Sequence, residues 1–142
     1  MIYTELTKKA IKIMFDTHKL QVDKSGLPYV FHPYEVASKL DDEYSVCVAL
    51  LHDVVEDGDL TFDDLSKDFP SEVIEALRLL THDSSVDYFD YVNNIKCNPI
   101  ARRVKLSDLE HNMTLSRLDS PTESDFKRVE KYKRAYSILK NY

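Results

Sequence analysis

Apolar residues recur at helical spacing along most of the chain, so the pattern predicts helices rather than strands. Leu6, Ala10, Ile13 and Met14 mark an amphipathic helix over residues 4–19. Further helices are predicted around the apolar sets Val36, Ala37 and Leu40; Val73, Ile74, Leu77 and Leu80; Phe89, Val92 and Ile95; Ile100 and Val104; and Phe126, Val129, Tyr132, Tyr136 and Leu139. The pattern therefore predicts an all-α fold, a bundle of about seven or more helices.

Helix-start signals precede several of these segments. Proline suits the first turn of a helix, and a Thr or Ser followed three residues later by an acidic residue resembles a capping box. These signals are Pro33, Thr61 with Asp64, Ser71 after Pro70, Pro99, and Thr122 with Asp125. Residues 21–31 have no period and contain Ser25, Gly26 and Pro28, which predicts a loop.

Residues 43–57 fit two structures. The valines at positions 46, 48, 54 and 55 suit a buried strand, and Asp57-Gly58 would suit a hairpin turn. The length of the segment and the sequence Ala49-Leu50-Leu51 favour a helix that is apolar on most sides. We therefore expect one central helix that runs through residues 43–57.

Composition narrows the class of protein. The length of 142 residues fits a single domain spanning 1–142, and two glycines with five prolines are too few for a barrel of many strands. The longest apolar run, Val46 to Leu51, is too short to span a membrane, and no signal-peptide core is evident, so we expect a soluble, cytoplasmic protein without a membrane partner. Cys47 and Cys97 are expected to be buried free thiols.

Charge is distributed unevenly along the chain. Residues 1–100 carry nine Lys and Arg against nineteen Asp and Glu, whereas residues 101–142 carry ten against six. The overall pI near 5.3 argues against nucleic acid as the main partner. The acidic part could hold a cation, and the basic part could attract an anion.

Ionisable residues crowd the end of the most apolar segment. On a continuous helix His52 would lie above Glu56, and Asp53 above Asp57. Burial of such groups costs several kcal/mol without compensation, so this end either reaches solvent or meets a cation. His32 and Asp108, each unremarkable alone, would complete a set of two imidazoles and two carboxylates. This mixed set suits Mn²⁺, Fe²⁺ or Zn²⁺ better than Ca²⁺.

The order of these residues resembles the metal-binding signature of HD-domain phosphohydrolases. Three motifs resemble, more closely, the RelA/SpoT-type (p)ppGpp hydrolase domain. They are Ser25-Gly26-Leu27-Pro28-Tyr29 leading into Phe31-His32-Pro33; Ala49-Leu50-Leu51-His52-Asp53-Val54-Val55-Glu56-Asp57; and Val104-Lys105-Leu106-Ser107-Asp108 with His111-Asn112-Met113. The resemblance covers about residues 10–136 and indicates a stand-alone small alarmone hydrolase of the stringent response.

The resemblance assigns roles to individual positions. It implies one Mn²⁺, or another divalent transition metal, at His32, His52, Asp53 and Asp108, and a catalytic pair at Glu56 and Asp57. Substrate-binding positions implied in the same way are Lys24, Ser25, Asn112, Arg128 and Tyr132. The implied reaction is attack of an activated water on phosphorus, which releases pyrophosphate from the 3′ side of guanosine tetraphosphate and leaves GDP.

Several recognition positions depart from the family pattern. Asp23, Leu109 and Thr114 stand where the family usually has arginine, and His82 stands where it usually has lysine. From the sequence we expect Asp23 to weaken guanine recognition, and Asp23→Arg to raise (p)ppGpp hydrolysis about tenfold. Two alternatives stay open: hydrolysis of another nucleotide, such as the 2′-phosphate of NADPH, and a nucleotide-binding module with little turnover. The small-molecule nucleotide is the expected partner in each case.

Overall fold

Nine helices make up the regular structure of the part of the chain that is described in the computed structural model, residues 1–114 and 118–142. Their bounds are α1 Glu5–His18, α2 Phe31–Ser38, α3 Glu43–Leu51, α4 Val54–Asp57, α5 Phe62–Ser66, α6 Ser71–Leu80, α7 Tyr88–Ile95, α8 Pro99–Asn112 and α9 Glu123–Lys140. No strand occurs within these residues, where the one β-type pairing is an isolated bridge between Val22 and Pro28. The predicted all-α class is therefore confirmed.

Local signals set most helix starts. Capping boxes at Thr4, Thr61 and Thr122 open α1, α5 and α9, and Asn98 caps α8 ahead of Pro99. The predicted cap at Ser71 is wrong. Pro70 occupies the cap position of α6, and the Ser71 hydroxyl donates instead to the carboxylate of Glu72.

Helix α3 is the centre of the bundle. Every residue from Ser45 to Leu51 is buried, and α3 packs against α1, α2, α6 and α8. A helix enclosed on all sides needs apolar residues all round, which explains why its valines also resembled a strand. The prediction of a central helix here is correct.

The same segment corrects one expectation, because α3 does not continue to Asp57. It ends at Leu51, and Asp53 adopts a φ of −108° and a ψ of 2°, outside the helical range. A new short helix, α4, begins at Val54. His52 and Asp53 therefore lie in a turn between two helices.

The two cysteines differ in environment. Cys47 is buried within α3, as expected, but Cys97 is exposed, so the expectation of a buried thiol is wrong at that position. Cys97 lies beyond the last residue of α7, in the short connection to α8, where its sulfur contacts the Tyr142 hydroxyl at 3.3 Å. A connection of this kind runs over the surface of the bundle.

Shortening one buried side chain of the central helix tests this packing. Leu50 is fully buried in α3, so we expect Leu50→Ala to lower the free energy of unfolding by about 2–5 kcal/mol, because it removes buried methyl groups and leaves a cavity. Leu20→Ala is the matched control, since Leu20 is 93% exposed, and its effect should stay within about 0.5 kcal/mol. Urea denaturation measures both values, and equal losses would contradict the assignment of α3 as the core.

Candidate metal centre and nucleotide cavity

The break after α3 places two adjacent side chains in one cluster. Consecutive residues of a helix point about 100° apart, so an unbroken helix would separate them. In the turn between α3 and α4, His52 Nε2 lies 3.2 Å from Asp53 Oδ2. The end of the most buried helix thus contributes an imidazole and a carboxylate to the same point.

Two distant segments bring the other predicted ligands to this point. His32 belongs to the first turn of α2, and Asp108 to the third turn of α8. Asp108 Oδ1 lies 2.9 Å from His32 Nε2 and 3.5 Å from His52 Nε2. All four predicted metal ligands therefore meet, although 76 residues separate the first from the last.

Three of the four already form a compact donor set. Ligand atoms of His32, His52 and Asp53 all lie within 4.8 Å of one another. Asp108 adjoins this set, but its second oxygen, Oδ2, accepts a hydrogen bond from Lys105 Nζ at 2.9 Å. Two imidazole nitrogens with carboxylate oxygens suit a divalent transition metal.

The orientation of His52 fits a metal ligand. Its Nδ1 donates to the main-chain oxygen of Ala49, which leaves the Nε2 lone pair facing Asp53 and Asp108. That buried nitrogen makes no hydrogen bond of suitable geometry within the described part of the chain. A lone pair directed at two carboxylates is repelled by them unless a proton or a cation lies between, so the residues present fit a bound cation.

The electrostatics of the cluster require positive charge. Burial alone would raise the pKa of Asp108, but Lys105 and the two histidines hold it well below its usual range. Burial likewise opposes ionisation of Asp53, whose pKa is nevertheless lowered, chiefly by His52. The same carboxylates raise the pKa of His52 well above its usual value against the effect of burial. The carboxylates and the cationic groups thus stabilise one another's charged forms, which suits a site that holds positive charge.

A second layer of side chains holds the cluster in place. The Tyr29 hydroxyl donates to Asp53 Oδ2, Asn112 Nδ2 donates to Asp108 Oδ1 at 3.1 Å, and His111 Nδ1 lies 2.7 Å from His32 Nδ1. The sequence interpretation missed the contributions of Tyr29 and Lys105. Lys105 could have been found, because it lies three residues before Asp108 on a helix, a spacing at which opposite charges meet.

The predicted catalytic pair has two different environments. Glu56 Oε1 accepts a hydrogen bond from the main-chain nitrogen of His82 at 3.3 Å. Partial burial, followed by the charge of Asp53, raises the pKa of Glu56. Asp57 lies toward α1, where its Oδ2 accepts from Gln21 Nε2 at 3.3 Å and lies 3.8 Å from His18 Nδ1. The two carboxylates are thus neighbours in sequence with different contacts.

All five predicted substrate-binding residues line one cavity of about 280 Å³, which we call cavity 1. Its cations are Lys24 and Arg128, and Arg128 is anchored by Asp125 Oδ1 at 2.9 Å. Tyr29 also lines cavity 1, and its bond to Asp53 connects the cavity to the cluster. Among residues 1–114 and 118–142, the lining consists of Gln21, Val22, Asp23, Lys24, Ser25, Tyr29, Asn112, Thr114, Leu118, Arg128 and Tyr132.

A second cavity of about 160 Å³, cavity 2, adjoins the other part of the cluster. His52, Asp53 and Asp108 line it together with Glu56 and His82. The cluster therefore lines the smaller cavity, which carries Glu56, and is connected through Tyr29 and Asn112 to the cavity that carries Lys24 and Arg128. Such an arrangement can bind an anionic ligand on one side and hold a proton acceptor on the other.

Comparison with known proteins identifies the family. The chain is 32% identical over 121 residues to the guanosine-3′,5′-bis(diphosphate) 3′-pyrophosphohydrolase MESH1 of Drosophila melanogaster, an alignment that covers 78% of this chain and 68% of the relative. The chain belongs to the MESH1 family. The Danio rerio member is 29% identical over 142 residues, covering 91% of this chain and 79% of the relative. No protein-family model matches the sequence.

Longer relatives share only this region. The guanosine-3′,5′-bis(diphosphate) 3′-pyrophosphohydrolase of Aquifex aeolicus is 31% identical over 90 residues, which amount to 61% of this chain and 13% of the relative. The GTP pyrophosphokinase of Myxococcus xanthus is 42% identical over 73 residues, or 49% of this chain and 10% of the relative. This chain therefore spans a small part of those two enzymes.

The fold agrees with membership of the MESH1 family. A solved structure, described as a metazoan ortholog of SpoT that hydrolyses ppGpp, superposes with a TM-score of 0.78 at 24% identity, covering 98% of this chain and 87% of that one. The HD-type helical bundle expected from the sequence is thus confirmed. Within residues 1–114 and 118–142, no helix combines the length and the apolar character that a membrane crossing requires.

Proposed function

We propose that this protein is a metal-dependent (p)ppGpp 3′-pyrophosphohydrolase, which converts guanosine 3′,5′-bis(diphosphate) into GDP and pyrophosphate. The observation that carries this proposal is the direct connection of the His-Asp cluster, by hydrogen bonds from Tyr29 and Asn112, to cavity 1, which is lined by Lys24, Ser25, Asn112, Arg128 and Tyr132. Membership of the MESH1 family supports the same substrate. We also propose that residues 1–142 act as one domain in the cytoplasm.

The proposed ligands of the metal are His32, His52, Asp53 and Asp108, and the proposed ion is Mn²⁺. The compact donor set and the buried Nε2 of His52, which has no hydrogen-bond partner within the described part of the chain, support a divalent ion. Nitrogen and oxygen donors together are compatible with Mn²⁺ and disfavour Ca²⁺. When bound, such an ion acidifies water and polarises a phosphoryl oxygen.

Different residues of this chain would then bind the nucleotide and accept the proton of water. Lys24 and Arg128 would bind phosphate groups in cavity 1, and Asn112 and Tyr132 would contact the nucleoside. Glu56 in cavity 2 would accept the proton of the attacking water, for which its raised pKa makes it a better acceptor than an ordinary exposed carboxylate. The water oxygen forms a bond to phosphorus while the bond from phosphorus to the ribose 3′-oxygen breaks, and that oxygen gains a proton.

Two other functions use the same site. Hydrolysis of the 2′-phosphate of NADPH would need the same cluster and the same cationic cavity. Of the substituted positions, Asp23 and Thr114 line cavity 1 and His82 lines cavity 2, where each could affect the choice of nucleotide. Leu109 is buried in the core and lines neither cavity, so its expected part in recognition is wrong. A binding module with little turnover would need no proton acceptor beside the cluster. The contact of Glu56 with cavity 2 therefore favours an enzyme.

Release of phosphate and of pyrophosphate from a panel of nucleotides, measured with Mn²⁺, distinguishes these functions. We expect pyrophosphate from guanosine 3′,5′-bis(diphosphate) and little phosphate from NADPH. Phosphate release from NADPH as the dominant activity would replace the proposed substrate. Binding of nucleotides without release of either product would support the binding module.

Removal of a ligand should remove the metal. We expect wild-type protein loaded with Mn²⁺ and desalted to retain about one ion per chain, and Asp108→Ala and His52→Ala to retain less than about a tenth, because each loses a donor or its charge. His82→Ala is the control and should keep full occupancy, since His82 Nε2 contacts the main chain at Val86. Inductively coupled plasma mass spectrometry gives the content, and full occupancy in Asp108→Ala would contradict the ligand set.

Removal of a catalytic carboxylate should spare the metal. We expect Glu56→Ala and Asp57→Ala to keep their metal but to lose about 10²-fold or more in kcat, the size expected when a proton acceptor or a water-orienting group is lost. Asp59→Ala is a control for charge in the same acidic segment. Near-normal turnover in Glu56→Ala and Asp57→Ala would indicate that both residues serve only the structure of α4.

A further inference from the structure

The loop between α1 and α2 is a closed structure that borders cavity 1. Tyr29 N donates to Gln21 O at 2.8 Å, Asp23 N donates to Leu27 O at 2.8 Å, and the main chain of Val22 pairs with that of Pro28. Gly26 closes the tip with a φ of 81°, a conformation that other residues rarely adopt. The backbone at residues 23–27 is therefore fixed in a tight turn.

The side chain of Asp23 holds this turn from inside. Its Oδ1 accepts three hydrogen bonds, from Ser25 N at 2.9 Å, from Ser25 Oγ at 2.7 Å and from Leu27 N at 3.0 Å. Hydrogen bonds to a carboxylate are stronger than those between neutral groups. One oxygen atom thus fixes both the backbone and the side chain of Ser25.

The bond between Ser25 and Asp23 also determines the chemistry that Ser25 can offer. An ionised carboxylate can only accept, so the hydroxyl hydrogen of Ser25 is committed to Asp23. The remaining lone pairs of Ser25 Oγ can accept a hydrogen bond in cavity 1, which Ser25 lines together with Lys24. Ser25 is thereby suited to a hydroxyl or N–H donor of a nucleoside and unsuited to a phosphate oxygen.

We propose that Asp23 is a positioning residue for substrate recognition, which sets the places of Lys24 and Ser25 in cavity 1. This inference rests on the proposed function and deepens it. Asp23 would act through these two neighbours and need not touch the nucleotide itself. The residue that replaces the usual arginine is thus an organiser of the recognition loop.

This role reverses the expectation that was drawn from the sequence. Arginine has only donors, so at position 23 it could accept none of the three bonds from Ser25 and Leu27. Asp23→Arg should therefore lower kcat/KM, where the family comparison alone predicted an increase. Asparagine keeps a carbonyl oxygen at the same place and should preserve the turn.

The decisive measurement separates KM from kcat. We expect Asp23→Ala and Asp23→Arg to raise KM for guanosine 3′,5′-bis(diphosphate) about tenfold with kcat within about twofold, and Asp23→Asn to restore KM to within about threefold of wild type. Asp83→Ala is the matched control, because Asp83 Oδ1 accepts from Ser85 N and Ser85 Oγ at 2.9 Å in an equivalent turn that lines neither cavity. Its KM should match the wild-type value.

A double-mutant cycle tests whether Asp23 acts through Ser25. We expect Ser25→Ala to raise KM in the wild-type background and to add less than about twofold in the Asp23→Ala background, since Ser25 is no longer held there. Independent, multiplicative effects would overturn the positioning role. So would an Asp23→Arg protein with unchanged or improved KM.

A second measurement requires no turnover. Lys24 is exposed, and trypsin can cleave after it only when the turn opens. Asp23→Ala should raise the rate of cleavage at Lys24 about tenfold, whereas Asp23→Asn and Asp83→Ala should leave it unchanged. The Tm of each variant should stay within about 2 °C of the wild-type value, which shows that faster cleavage reflects opening of the turn and not global unfolding. Unchanged cleavage in Asp23→Ala would overturn the inference even if the enzyme proves active on (p)ppGpp. Absence of (p)ppGpp hydrolysis with the expected cleavage would instead overturn only the proposed substrate.

Discussion

Only 4% of the surface of Asp108 reaches solvent, and a buried carboxylate must be matched by positive charge. Lys105 supplies one full charge through Asp108 Oδ2, and His32 and His52 face Asp108 Oδ1. Asp53 adds a second carboxylate to the same region, so Lys105 alone cannot balance the cluster. Two imidazoles and two carboxylates that face one another in this way suit a bound divalent cation.

The packing around α3 follows from this constraint. The helix is buried from Ser45 to its last residue, and its carboxyl end stops where the charged cluster begins. Continuation of the helix would have pointed Asp53 away from His52, so the break at the turn is part of the site. Helices α2 and α8 pack against α3 and bring in His32 and Asp108. The core thus holds the four side chains at fixed positions relative to one another.

The cavities extend this arrangement toward function. Tyr29 contacts Asp53 and also lines cavity 1, so one side chain links the loop between α1 and α2 to the cluster. Asn112 does the same from α8, since it donates to Asp108 and lines the same cavity. The loop at residues 21–29 thus contacts the cluster through Tyr29, which bonds to Asp53 and packs against the His32 ring.

The sequence alone determined the features that depend on local interactions. Capping boxes at Thr61 and Thr122, the proline at Pro99 and the spacing of apolar residues act within about four positions, so the starts of α5, α8 and α9 and the all-α class could be predicted. The family motifs, which are local strings of residues, also identified the four residues of the cluster. The residues that these motifs assigned to one site are the residues that the folded bundle brings together.

Only the tertiary structure decided how distant or competing groups are arranged. The break after Leu51, the separate environments of Glu56 and Asp57, and the exposure of Cys97 depend on what packs against each segment. The role of Asp23 was hidden for a related reason: the sequence shows its charge but not the three donors that surround its carboxylate. Helical periodicity and motif matching carry no information about such contacts, because these contacts are fixed by the path of the folded chain.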